Sequence, residues 1–183
     1  MHRRLLFASL ALAATATPAA TQPFSPKPGA DKPGGDKPGA DKPAKASPRR
    51  IAELFAASLS AHSIEAFGSL FADSYRNHQV SAAAPPAPGR GNDKQATLAF
   101  FQARLWGLPD LRVSIESIVA DDAMVAASFL YTGTHQGVLM GVAATGKRLR
   151  FTSCDIFSVR DGLIGEHWGM GDIAGVLAQL RSS

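Results

Sequence analysis

The sequence predicts an α+β domain, a cone-shaped curved antiparallel sheet with N-terminal helices packed on its concave face. Three observations carry this. Apolar residues recur at helical spacing up to Trp106. After Gly107 the period falls to two, with Val113 and Ile115 alternating with Arg112, Ser114 and Glu116. Turn signals then divide the rest into strand-length runs. Helices come first and a strand meander follows, the segregation expected of an α+β domain.

The elements follow in order. Pro48 opens a helix over 49–59 with Ile51, Leu54, Phe55 and Leu59 on its apolar face. Ser63 can cap a second short helix, with Ile64, Phe67, Leu70 and Phe71 as its stripe. Residues 73–80 leave that helix in an extended segment. Residues 82–91 form a Pro/Gly/Ala loop. Asn92 or Asp93 caps a third helix that buries Leu98, Phe101, Leu105 and Trp106. The strands are 112–116, 124–134, 147–159 and 163–170. Asp121-Asp122 makes the first turn, and Arg160-Asp161-Gly162 a tight hairpin. A Gly-rich loop spans 137–146, and 173–180 is a closing helix.

The charge is unevenly spread. Residues 1–50 hold nine Lys/Arg and three Asp, a balance of +6; residues 51–183 hold ten Lys/Arg and twelve Asp/Glu, a balance of −2. The domain has no basic excess, so no nucleic-acid partner is expected. Met1-His2-Arg3-Arg4 followed by an apolar run over 5–16 reads as a secretory signal, residues 1–20. The run is short of the ~20 residues a membrane helix needs. The chain is therefore expected to be exported, periplasmic or secreted, with no stable membrane span after cleavage. A retained anchor is the alternative. Asp-Lys-Pro recurs three times between Gly29 and Pro43. With almost no large apolar residue to bury, residues 21–48 read as a disordered linker. The folded domain is 49–183. Its single cysteine, Cys154, excludes an internal disulfide and a four-ligand Cys/His cluster, and alternation makes it a packed thiol.

Strand alternation nominates pocket residues. Leu149, Phe151, Ser153, Asp155, Phe157 and Val159 share one face of the third strand. Val125, Ala127, Phe129, Tyr131 and His135 are in phase on the strand before. On the last strand Ile164, Glu166, Trp168 and Met170 share a phase, which turns His167 away from the pocket. The faces of the third and last strands are each apolar with an acid set in them, Asp155 and Glu166. An acid in an apolar cavity suits proton transfer, because desolvation raises its pKa; the structural alternative for Asp155 and Glu166 is a buried ion pair. His135, at a strand end, and His78, on the extended segment, are further candidates. His78, His135 and an acid lack any short metal-ligand spacing, so no metal is expected.

Several pieces in order carry a resemblance. They are Pro109-Asp110-Leu111, Gly133-Thr134-His135-Gln136-Gly137, Met140-Gly141, Thr145-Gly146-Lys147, Asp155-Ile156-Phe157, Asp161-Gly162-Leu163-Ile164, Glu166-His167-Trp168 and Asp172. Together they resemble the SnoaL-like polyketide cyclases (ester cyclases) of the nuclear transport factor 2-like superfamily. The resemblance implies a cone fold and a site with no metal and no cofactor. It also implies ring closure by intramolecular aldol chemistry, with an acid near the end of the last strand as acid/base. The matching position is Asp172, with Trp168 as a pocket wall. Asp172 is equally placed to cap the closing helix. One departure is Ala143-Ala144, where the family often has two prolines.

The expected catalytic residues are thus Asp172, His135 and Asp155. The expected substrate-binding residues are Trp168, Tyr131, His78, Phe157, Glu166 and Phe151. Two functions fit: a cyclase, isomerase or lyase working on a small apolar oxygenated molecule, or a non-catalytic domain that binds a small hydrophobic ligand. Dimerisation through the outer sheet face is common in this fold, so a homodimer is the protein partner to look for.

Overall fold

The computed structural model describes residues 45–79 and 93–182. The leader 1–20, most of the linker, the loop 82–91 and Asn92 lie outside the described residues. The elements run α1 (Pro48–Ser60), α2 (Ile64–Gly68), β1 (Phe71–Asn77), α3 (Asp93–Gly107), β2 (Arg112–Ala120), β3 (Met124–Thr134), β4 (Arg148–Arg160), β5 (Leu163–Gly171) and α4 (Ile173–Arg181). The sheet order is β1-β5-β4-β3-β2. β2 to β5 form the expected antiparallel meander. The extended segment after α2 is a strand of its own, and β1 closes the sheet by pairing parallel with β5.

Local chemistry sets the boundaries. Ser47 caps α1, its hydroxyl accepting from the Arg50 amide at 3.3 Å, and Pro48 takes the first helical position. Ser47 and Pro48 thus form the cap and first turn of α1. Lys45 ion-pairs with Asp161. Ser63 caps α2, which is a single short turn; Phe71 belongs to β1 rather than to the helical stripe. Asp161 and Gly162 both have positive φ, 57° and 77°, the geometry of a tight two-residue hairpin between β4 and β5.

Helix α1 lies across the sheet and plants Phe55 in the core. Its ring centroid is 5.0 Å from Phe67, 5.6 Å from Phe101, 5.1 Å from Phe129 and 5.2 Å from Phe157. Those four rings come from α2, α3, β3 and β4, so one side chain joins both layers. Truncating such a residue costs about 3–5 kcal/mol.

The β3 and β4 phases match the alternation. Val125, Ala127, Phe129 and Tyr131 are buried on β3, and Leu149, Phe151, Ser153, Asp155 and Phe157 on β4. β5 departs from it. Ser158 pairs with Glu166, but Val159 pairs with Ile164, so Gly165 is an extra residue on β5. Such a bulge shifts the strand by one position and exchanges its faces. Beyond it His167 points inward and Trp168 outward, the reverse of the expectation. Cys154 is exposed on the same outer face rather than packed. On α3, Trp106 is 71% exposed and Arg104 is buried in its place.

Candidate active site

A cavity of about 470 Å³ opens between α3, α4 and the inner face of the sheet. That volume is in the range of small-molecule sites. Its apolar wall includes Phe100, Phe101, Met140, Ile173 and Leu177. Its polar wall includes Asn77, Thr97, Tyr131, Ser153, Asp155 and His167.

Asp155 is the only carboxylate among the described lining residues. It lies on β4 opposite Gly169 of β5. Ser153 donates to its Oδ2 at 2.6 Å, and His167 Nε2 lies 2.8 Å from its Oδ1. Both Asp155 and His167 are 6% exposed. Next to a carboxylate the His167 Nε2 is the donor, which leaves Nδ1 to accept in the neutral ring. Nδ1 is 3.2 Å from the Tyr75 hydroxyl. Tyr75 in turn accepts from Thr97 at 3.5 Å. The donors therefore run in one direction, Thr97 to Tyr75 to His167 to Asp155. Tyr75 reaches His167 because the β1–β5 pairing breaks register between Phe71 and Arg76.

Desolvation holds the Tyr75 phenol well above its ordinary value, and the same cause raises Tyr131. Both hydroxyls thus remain protonated donors across the physiological range. Tyr131 stacks on Phe151, with centroids 5.1 Å apart and planes 4° from parallel. Its hydroxyl lies beside Arg104 and Ser153.

Of the residues expected at the site, Asp155 and Tyr131 line this cavity. Phe151 stands behind Tyr131, and Phe157 is core, packed on Phe55 and His167. The others lie elsewhere. His78 pairs with Glu166 at 2.8 Å and stacks on Trp168 at 4.7 Å, a partly exposed cluster created by the bulge. His135 is buried; its Nδ1 accepts from the Thr145 amide at 3.2 Å and ties down the end of the Gly-rich loop. Asp172 is exposed and caps α4, accepting from the Gly175 amide at 2.8 Å. It borders a shallower neighbouring depression with Thr152, Cys154 and Met170. Among the described residues, no three His, Cys, Asp or Glu side chains gather as metal ligands would.

Sequence reasoning missed Arg104, His167, Tyr75 and Gly169. For Arg104 a signal existed. Thr97, Phe101, Arg104 and Leu105 stand at i, i+4, i+7 and i+8 on one helical face. For His167 and Gly169 the one hint was Gly165, an isolated glycine inside the strand, since both placements depend on strand pairing.

Residues 49–180 match the family described as SnoaL-like polyketide cyclase. The chain belongs to the SnoaL-like polyketide cyclase family. Solved structures of similar fold agree. IdmH, a polyketide-cyclase candidate from Streptomyces antibioticus, is 28% identical with a TM-score of 0.63, covering 74% of this chain and 99% of that one. TsrD from Streptomyces laurentii is 22% identical with a TM-score of 0.63, covering 78% and 100%. A SnoaL-like polyketide cyclase from Agrobacterium tumefaciens is 19% identical with a TM-score of 0.57, covering 73% and 98%. The last two establish the fold alone. No curated protein matches the chain. In this SnoaL-like chain the acid on the described cavity wall is Asp155, whereas Asp172, the position that the motif resemblance selects, borders the neighbouring depression.

Proposed function

We propose that the cavity carries out acid–base catalysis on a small, largely apolar, oxygenated molecule, as a cyclase, isomerase or lyase. The observation that supports this best is the Asp155 carboxylate, the sole acid among the described residues of the cavity wall, with its hydrogen bonds from Ser153 and His167 converging on it. In the cyclase case Asp155 takes a proton from carbon beside a carbonyl. The resulting enolate carbon bonds to a second carbonyl carbon of the same molecule. The alkoxide so formed takes the proton back from Asp155. His167 positions the carboxylate and stabilises its charged form through Nε2–H.

The test follows exchange of the α-protons of acetonaphthone into deuterated water by NMR. The wild-type chain should accelerate exchange, and Asp155→Asn should lose that acceleration by about a hundredfold or more. Equal rates for the two proteins would reject Asp155 as the base. Binding of the ketone without acceleration by either protein would favour the ligand-binding function instead.

Export and a homodimer belong to the same reading. The basic, apolar start of the sequence supports export, tested by N-terminal sequencing of the mature protein. The dimer rests on exposed apolar residues of the outer sheet face. Ile156 stands across from Trp168, beside Met170, and Met170 is 79% exposed. Native mass spectrometry should show a dimer that Met170→Asp weakens; a wild-type monomer across the concentration range would reject it.

A further inference from the structure

Arg104 is buried on α3 with only 6% of its surface exposed, yet it lines the cavity. Its guanidinium carbon lies 4.7 Å from the centroid of Phe100, 5.0 Å from Phe101, 5.0 Å from Tyr131 and 5.3 Å from Phe151. Burying a charge without compensation is costly. Here part of the compensation comes from ring faces, which attract a cation through their quadrupoles, and part from the Tyr131 hydroxyl and the charge of Asp155. Among the described residues no carboxylate oxygen comes within 4.0 Å of it. Residues 80–92 contain no Asp or Glu at all.

This arrangement leaves a chemical capacity unused. Ring faces accept little from the fork of five N–H donors, and the Tyr131 hydroxyl beside it occupies only part of that fork. A planar guanidinium matches a carboxylate through two parallel hydrogen bonds. Asp155 does not take that role, since neither of its oxygens comes within 4.0 Å of the guanidinium; they are held by Ser153 and His167 instead. Arg181 also lines the cavity, so its described wall holds two arginines against one aspartate. That balance favours an anion in the cavity. The flat walls of Phe100 and Tyr131 favour a planar body.

We propose that Arg104 is a substrate-specificity residue that receives the carboxylate of a planar, mostly apolar acid. The inference rests on the reading of this cavity as the reaction site and adds the charge of the substrate to it. The ligand lies with its carboxylate in the aromatic box at Arg104 and its reactive carbon toward Asp155.

The test is calorimetric titration of the full chain near neutral pH with two probes, naphthoate and its methyl ester. The wild-type chain should prefer the acid by about tenfold or more. Arg104→Met should abolish that preference while ester affinity stays within about threefold. Arg104→Lys, which keeps the charge but not the fork, should retain part of it. Equal affinities for acid and ester in the wild type, or binding of neither, would overturn the proposal. So would an Arg104→Met protein that melts lower but still prefers the acid, since that marks a structural arginine. If Arg104→Met does not fold, an unchanged acid preference in Arg104→Lys overturns it. Asp155→Asn should keep the acid preference, so the anchor can fail while the acid–base reading stands, and the reverse.

Discussion

His167 donates from Nε2 to Oδ1 of Asp155 across 2.8 Å, and the pair leaves no room beside it for anything larger than glycine. The neighbour is Gly169, the cross-strand partner of Asp155. A methyl group built there would overlap both the Asp155 carboxylate and the His167 ring nitrogen. Both atoms belong to short, buried side chains fixed in adjacent strands, so neither can swing aside.

Gly169→Ala should therefore separate the pair. Overpacking of this kind costs about 1–3 kcal/mol, and the melting temperature should fall accordingly. Proton-transfer activity should fall further than the stability loss explains, because the surviving folded protein carries a displaced base. Native-like activity in a folded Gly169→Ala protein would show that the Asp155–His167 contact is not needed.

Asp172 gives a contrasting prediction. It is exposed, and its carboxylate is occupied with the first turn of α4. Asp172→Ala should cost about 1 kcal/mol of stability, the usual price of a lost cap, whereas Asp172→Asn should cost little because Asn caps as well. Neither should change the rate per folded molecule by more than about twofold, since the cap acts on the helix rather than on the cavity. Collapse of turnover in a fully folded Asp172→Asn protein would return the catalytic role to this residue.

The contrast between Asp155 and Asp172 shows what the sequence could and could not disclose. β3 and β4 alternate without interruption, so counting by twos placed Tyr131, Ser153 and Asp155 on the inner face correctly. The β5 count fails at Gly165. A bulge is a property of two strands in register, and the isolated Gly165 inside the strand is the one local hint of it. That single residue moves His167 into the site and sends Glu166 and Trp168 to meet His78 outside. Arg104 was hidden differently. A charged residue on a helix is ordinarily read as solvated, and two of the rings that surround it arrive from β3 and β4, far along the chain.

The chain has two tyrosines, Tyr75 and Tyr131, and both are buried with their phenols held above the ordinary value of 10.0 by desolvation. Below that pH the folded and unfolded states both keep the two protons, and the contribution to stability is fully present. Above it the unfolded chain releases them and the folded chain does not. The unfolded state then binds fewer protons, so stability falls as pH rises, by about 1.4 kcal/mol per pH unit for each tyrosine. Alkaline titration should thus show phenolate absorbance and loss of the circular dichroism signal rising together, in one transition rather than two. Tyr75→Phe should halve the phenolate amplitude and make the pH dependence shallower, and it should also slow proton transfer by about tenfold through the lost hydrogen bond to His167. Phenolate absorbance that appears near the ordinary pKa while the fold stays intact would mean that water reaches these hydroxyls, and the one-way donor chain to Asp155 would fail with it.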